Sequence, residues 1–503
     1  PKKTKKIVKR GVTELVTPGV SYNDKVLNHK TNNFLACLYF GTKELGVSFL
    51  DISTGEFMVS QGDKEYIGKL LQSFSPGEVV FQKEFSQKFI DFFGDSYYTF
   101  YLDDWVFTKD FSQDKLLSHF ETSSLKGFGI SNLKEGMIAA GAVLHYLSET
   151  QHNEVKHITA IKRIEEDHCV WMDRFTIRNL ELFSSYNEDA LTLLAILDQS
   201  ITSMGARMIR RWLAFPLKDK NSINERLSVV EFFIVNSGIK EDISGSIKEV
   251  GDLERLISKV ATKRINPREV VQLKRALNAV VPIQKICNNS DNHFLKIIAD
   301  LINPCNDVRE KIDKELQESS PFLLSKGGII ADGVNHQLDE LRNISNSSHK
   351  HLKKILDREQ ERTGIPSLKI SFNNVFGYYL EVRNTHKEKV PQDWIRKQTL
   401  VNAERYITQE LKELEIKILG AEDKILDLET RLFNDLVAGL VQYVSPIQIN
   451  AKIIAKLDCL ISFAQISERY NYVRPKITSN YNLDIKNGRH PVIEQQLPFG
   501  EVY

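Results

Sequence analysis

No two cysteines of this 503-residue chain stand in C-x-x-C spacing. The five present, Cys37, Cys169, Cys287, Cys305 and Cys459, are scattered, and most have apolar neighbours. This excludes a cysteine zinc site and a disulfide-stapled scaffold, and it predicts reduced, buried thiols. No apolar run nears the ~20 residues that a membrane-spanning helix needs. Neither sign of charge dominates, with 67 Lys and Arg against 66 Asp and Glu. Nucleic-acid binding by bulk charge is therefore excluded, while a local basic patch is not. The G-x-x-x-x-G-K-[ST] phosphate loop is missing: Gly68-Lys69 runs on into Leu70, and Asp63 stands where the first glycine would be. H-E-x-x-H and G-x-S-x-G are missing too. His349 and His351 lie two apart in a helical stretch, so they point away from each other and cannot readily share a metal. These 503 residues are expected to be catalytically silent, with no cofactor or metal of their own.

What the chain does have is a heptad stripe. Ile407, Leu411, Leu414, Ile418, Ala421, Ile425, Leu428 and Leu432 follow at alternating steps of four and three. That is one apolar seam on a helix packed lengthwise on another. It predicts a helix from Ala403 to about Leu440, 38 residues and ~57 Å long. A weaker stripe runs upstream through Leu338, Leu341, Ser345, Ser348, Leu352 and Ile355. The stretch between, about 364–402, reads as strand and turn. Two helices running out and back with a small β tip make an arm.

The tip is basic. Lys369, Arg383, Lys387, Lys389, Arg396 and Lys397 outnumber Glu381, Glu388 and Asp393, for a net +3. Ser367–Phe372 and Phe376–Val382 alternate as strands, Asn373-Asn374-Val375 is the turn, and Lys397–Leu400 reads as a third strand. Cations with amide side chains on a rigid hairpin suit phosphate oxygens, which position a duplex without reading its sequence. Lys369, Asn374 and Arg396 are candidates for such contacts. The competing reading is a solvated sheet edge, where lysines stop other sheets from pairing.

Residues 31–62 alternate with period two and predict an antiparallel meander. Helices near 64–74 and 86–93 and strands at 79–81 and 97–101 follow, an order that resembles a ribonuclease H-like fold. The first meander strand carries no acid, and Asp51 and Glu56 are expected to face solvent. From about residue 134 helices dominate. Asn266-Pro267-Arg268-Glu269 is a helix start, since Asn can cap, Pro suits the first turn and Glu can reach back. Pro282, Pro304 and Pro321 predict later breaks. Ile477–Glu494 turns strand-like again. The fold class is multidomain α+β.

An ordered set of phrases carries a family likeness. Lys9-Arg10-Gly11-Val12-Thr13-Glu14-Leu15-Val16-Thr17-Pro18-Gly19 comes first, then Met172 to Leu182, Thr202 to Leu213, and Gly251-Asp252-Leu253-Glu254-Arg255-Leu256. Gly364 to Val382, Gln398 to Glu410 and Gly488 to Glu494 complete it. The set resembles the family of the DNA mismatch repair protein MutS. The resemblance implies a linker at 1–18, a ribonuclease H-like connector at 19–132 and a helical core at 133–330. It further implies an outgoing lever helix at 331–363, a small antiparallel β clamp at 364–402, a return lever and core at 403–475, and the start of an ATPase domain at 476–503. Family contacts to the DNA backbone map onto Lys397, Gln398 and Asn402, with Val401 where relatives can hold a lysine. A MutL-docking surface falls near Asp114 and Lys115.

The chain starts at Pro1, stops at Val502-Tyr503, and reads as a piece of a longer protein. The family's mismatch wedge is Phe-x-Glu, and Phe499-Gly500-Glu501 is a chance match at the wrong end. The family implies a homodimer around double-stranded DNA, bacterial cytoplasmic and nucleoid-associated when active, that binds ATP with Mg and signals to MutL. Two alternatives are a MutS-like protein acting outside mismatch repair, in recombination, and a coiled-coil scaffold without a DNA role.

Overall fold

The computed structural model describes residues 15–22, 27–152, 154–164, 169–170, 172–185, 190–373, 375 and 377–496. Most of the linker expected at 1–18, Asn374 and the Phe499-Gly500-Glu501 match lie outside them. The chain forms two compact units, Pro1–Ile265 with Gln272–Arg309 and Leu440–Tyr503, and Asn266–Val271 with Glu310–Gly439.

The first unit opens with a sheet. β1 (Leu35–Phe40), β2 (Leu45–Asp51) and β3 (Glu56–Gly62) are an antiparallel meander. α1 (Lys64–Phe74), β4 (Glu78–Gln82), α2 (Ser86–Phe93) and β5 (Thr99–Leu102) follow. α3 (Lys109–His119), α4 (Lys134–Glu149) and the two-residue β6 (Lys162–Arg163) complete it, in the strand order β5-β4-β1-β2-β3-β6. β4 runs parallel to β1, β5 to β4 and β6 to β3.

Alternation along β1 explains the layers. Leu35 and Cys37 face a core shared with α3 and α4, while Phe34, Ala36, Leu38 and Phe40 face one shared with α1 and α2. A strand covered on both faces reads as a continuous apolar run. Gly46 is required where β2 meets α4, because a side chain there would run into the Glu135 backbone.

Asp51 corrects the expectation of a solvent-facing acid: it is fully buried. Its carboxylate accepts from Asn32 Nδ2 (2.8 Å), Asn33 N (3.2 Å), Ser53 N (2.9 Å) and Ser53 Oγ (2.7 Å). Glu56 is also drawn inward, paired with both terminal nitrogens of Arg211. Full hydrogen bonding is what permits a buried charge. Buried His157 donates from Nε2 to the Ile52 carbonyl at 2.7 Å.

Helices then follow in chain order: α5 (Arg174–Asn179), α6 (Leu193–Leu197), α7 (Ser203–Ala214), α8 (Lys220–Val235), α9 (Ser237–Val250) and α10 (Leu253–Ala261). α11 (Pro267–Asn289), α12 (His293–Leu301) and α13 (Asn306–Glu315) come next. Asn266 and Glu269 form a reciprocal capping box, each backbone N–H donating to the other's side chain at 3.0 Å. Pro282 does not end its helix: α11 runs through it. Its ring sits on the exposed face, where water can serve the carbonyl that loses its donor, while Val280 and Ile283 stay buried.

Two later helices are α14 (His336–Thr363) and α15 (Gln409–Leu440), and α16 (Val444–Tyr470) returns to the first unit. Asp458 on α16 is buried and ties α16 to the start of α7 by accepting from Ile201 N (2.8 Å), Thr202 N (2.8 Å) and Thr202 Oγ1 (2.7 Å). The strand expected at 477–494 is not formed; Tyr481, Leu483 and Ile485 are exposed there. Among the described residues no other strand pairs with that stretch, and an unpaired strand has no ladder to hold it.

In the second unit, α14 and α15 run antiparallel, because Arg342 meets Glu429, His349 meets Glu422 and Arg358 meets Glu410. Between them lie β7 (Lys369–Asn373), β8 (Gly377–Arg383), β9 (Ile395–Thr399) and β10 (Ala403–Ile407). They form one antiparallel sheet in the order β7-β8-β10-β9. The expected helix at 403–407 is thus a fourth strand. Glu404 and Tyr406 point inward while Arg405 points out, a period of two that the heptad reading absorbed at Ile407. Thr408 stops the strand by accepting from Leu411 N (3.1 Å), so the helix has 32 residues and is ~48 Å long.

Candidate nucleic-acid interface

The inner face of the four-stranded sheet packs on the two helices. Leu380, Val382 and Tyr406 join Leu352 and Ile355 of α14, Trp394, and Leu411, Leu414 and Ile418 of α15 in one core. The upper rungs of the heptad seam therefore support the sheet as well as the partner helix. Glu415 of α15 also accepts from Tyr378 N at 3.0 Å, beside Gly377 at φ +77°. These contacts set the sheet's position on α15.

The outer face carries a polar ladder across all four strands. Lys369 on β7 meets Glu381 on β8 (3.4 Å), Glu381 meets Arg405 on β10 (3.4 Å), and Arg405 donates to Gln398 Oε1 on β9 (2.8 Å). Arg405 also lies 4.4 Å above the Tyr379 ring. Cross-strand pairs of this kind hold register. The ladder turns the Gln398 carbonyl inward and leaves its amide N–H groups to donate elsewhere.

Charge on the sheet divides into two kinds. Arg396 is paired with Glu404 at 3.3 Å, and Arg362 pairs with Asp393 at 2.8 Å. The Tyr406 hydroxyl, and then Arg396, hold the Glu404 carboxyl below its usual range, and burial raises the Tyr406 phenol to about 12. The pair stays charged at neutral pH. By contrast Arg383 and Lys397 on the strands, and Lys387 and Lys389 on the 3-10 turn at 384–389, are exposed, and among the described residues none forms a salt bridge, although Lys387 is near enough to Glu404 to help hold its carboxyl down. Those four cations are free to meet an anion.

Of the residues singled out from sequence, Lys397, Gln398, Arg396 and Lys369 share this sheet, and Asn402 lies in the three-residue turn between β9 and β10. Asn374 lies outside the described residues. Lys369 and Arg396 are on the sheet but already neutralised. Val401 is 91% exposed at the turn. Asn384 fixes this turn, donating from its Nδ2 to Val401 O (2.9 Å) and from its N to Asn402 O (3.2 Å). Arg405 and Asn384 escaped the sequence reading; the outward slot of a period-two phrase was the signal for Arg405.

Asp114 and Lys115 lie on α3 of the first unit, with Asp114 exposed and Lys115 donating to Ser148 Oγ at 3.0 Å. Among the described residues no group of three or more His, Cys, Asp or Glu could hold a metal ion, and no helix is long and apolar enough to cross a membrane.

Sheet, helical region and a helical pair bearing a four-stranded sheet define a multidomain α+β protein. Comparison with protein-family models matches residues 175–464 to MutS domain III and 33–159 to MutS domain II. The chain belongs to the MutS family. It is 58% identical over its full length to the DNA mismatch repair protein MutS of Christiangramia forsetii and to that of Flavobacterium psychrophilum, and 57% identical to that of Bacteroides fragilis. In each case it spans 58% of the relative's length.

Proposed function

We propose that this chain acts in DNA mismatch repair, supplying the part of a MutS-type protein that grips the duplex backbone and transmits the state of the DNA. The observation that supports this most is the set of exposed cations Arg383 and Lys397 on a sheet, and Lys387 and Lys389 on the 3-10 turn that follows β8, braced by two long helices. A sheet edge protected only against aggregation needs neither a cross-strand ladder nor such a support. Lys397 and the amides of Gln398 and Asn402 then contact phosphate oxygens, with Arg383 and Lys387 extending the field. Lys369 and Arg396 shape the sheet and contribute less charge to the duplex.

The reading assigns the domains as connector, core, outgoing lever, clamp and return lever, with the clamp reaching Ile407 rather than residue 402. The strand order β3-β2-β1-β4-β5, with an antiparallel first half, supports a ribonuclease H-like connector. In the whole protein, a homodimer in the cytoplasm, mispair recognition would be coupled through these elements to ATP turnover and to MutL, the latter docking near Asp114 and Lys115. ATP and Mg would be held outside these 503 residues, so no step here runs through them.

The test is duplex binding by the 503-residue chain. Salt-sensitive, sequence-independent affinity, equal for matched and G·T duplexes and weakened alike for both by Lys397→Ala, is the expected result. Lack of duplex binding, or an effect of Lys397→Ala on the mispaired duplex alone, overturns the backbone assignment.

A further inference from the structure

Away from the four-stranded sheet, the first unit contains a cleft of roughly 400 Å3 beside β6, α7, α8 and α16. Its lining is unusual in charge. The acids Glu56 and Glu254 are committed to Arg211 and to Arg207, the latter also held by Asp252 at 2.8 Å. Four further cations, Lys162, Arg226, Lys452 and Lys456, have no carboxylate partner among the described residues. Lys162 and Lys452 sit at the exposed rim, and Arg226 and Lys456 are half-buried deeper in. Arg226 covers the Trp212 ring at 3.5 Å instead of pairing with an acid.

We propose that this cleft is a binding site for a phosphate-type oxyanion of di- or triphosphate size, gripped by Lys162, Lys452, Lys456 and Arg226. Like charges drawn together in a partly desolvated cleft repel, and the arrangement is stable with a multiply charged anion between them. Lysines supply point charges and the guanidinium a fork of donors, the pairing that phosphates accept best. The apolar wall of Met204, Met208 and Ile449 can receive an organic group joined to the phosphates. The site joins β6 of the first sheet to α8 and α16, so its ligand would cross-link the two parts of this unit.

The titration state supports the geometry. Burial, then neighbouring Lys452, lower the Lys162 pKa, with Arg211 adding to the effect and Glu56 opposing it. Burial, then Arg226, lower that of Lys456, against Glu225. Burial takes Arg226 down to about 10. An anion favours the charged form of each group and so opposes these shifts.

The experiment is calorimetric titration of the full chain with inorganic tripolyphosphate at fixed ionic strength. Saturable binding is expected, weakened about tenfold or more in Lys162→Gln/Lys452→Gln and unchanged in Lys43→Gln, an exposed lysine of the turn between β1 and β2. Both rim lysines are exposed, so the double variant should fold; its far-ultraviolet circular dichroism checks this. A nucleoside triphosphate binding more tightly than tripolyphosphate would support the site and assign the apolar wall to the nucleoside; equal affinity would support it with bare phosphate as the ligand. No saturable binding, undiminished affinity in the double variant, or equal loss in Lys43→Gln would overturn the proposal.

Discussion

Replacing Lys397 by alanine removes an exposed cation with no partner, whereas replacing Arg396 removes one that Glu404 already neutralises at 3.3 Å. The two residues are adjacent in sequence, so the comparison isolates pairing from position. Each phosphate neutralised by a free cation should add about 0.9 to the slope of log affinity against log salt. Arg383, Lys387, Lys389 and Lys397 together give a slope of at most about −3.6, and Lys397→Ala lowers its magnitude to about 2.7. Over a fourfold rise in salt, the affinity of the parent should fall by roughly 150-fold and that of the variant by roughly 40-fold. The comparison is best made with Arg396→Ala/Glu404→Gln, which removes the pair without changing net charge and keeps an acceptor for the Tyr406 hydroxyl. That double variant should keep the parent's slope. Fluorescence anisotropy with a matched duplex over a salt series reads all three. Equal slope changes in the two variants, or none for Lys397→Ala, would refute the division into free and neutralised cations.

Three further outcomes follow from buried groups and backbone strain. Burial lowers the His157 pKa to about 4, against the neighbouring Asp51 and with His119 adding to the effect. The unfolded state then binds more protons between pH ~6.5 and ~4, so His157's contribution is full above ~6.5 and is lost as pH falls through that window. From pH 7 to pH 5 the parent should lose about 2 kcal/mol more than His157→Gln in urea unfolding; parallel losses would remove His157 as the cause. Asp458→Ala leaves the Ile201 and Thr202 donors without their acceptor and should cost about 3 kcal/mol, seen as early hydrogen exchange at the start of α7; unchanged protection there would contradict the tie. Gly377→Ala puts a side chain where the Glu415 carboxylate lies, at φ +77°, and should cost about 1–3 kcal/mol and weaken duplex binding. Wild-type melting and binding by that variant would show the contact to be dispensable.

Period and capping were legible along the chain because they are local. The alternation at 34–40, the capping box at Asn266 and Glu269, and the apolar stripe of α15 each sit within a few residues, and each fixes a secondary structure on its own. Asp51 and Glu56 were misread because an acid's burial depends on donors from elsewhere, here Asn32, Ser53 and Arg211. The strand at 403–407 was misread because Ile407 also fits the heptad, and only pairing with β8 and β9 decides between the periods.

The site shows the same division. Composition alone counts the basic residues between 364 and 402, and their excess of positive charge is a property of the chain. Which of them is available is not. Glu381 and Glu404 reach their cations across neighbouring strands, 8 to 24 residues away along the chain, and that register is set by the packing of Leu380, Val382 and Tyr406 on α14 and α15. Sequence determined how much charge this region holds; the long-range strand pairing decided which charges are spent inside the protein and which remain for a partner, because an ion pair depends on distance in space and not on distance along the chain.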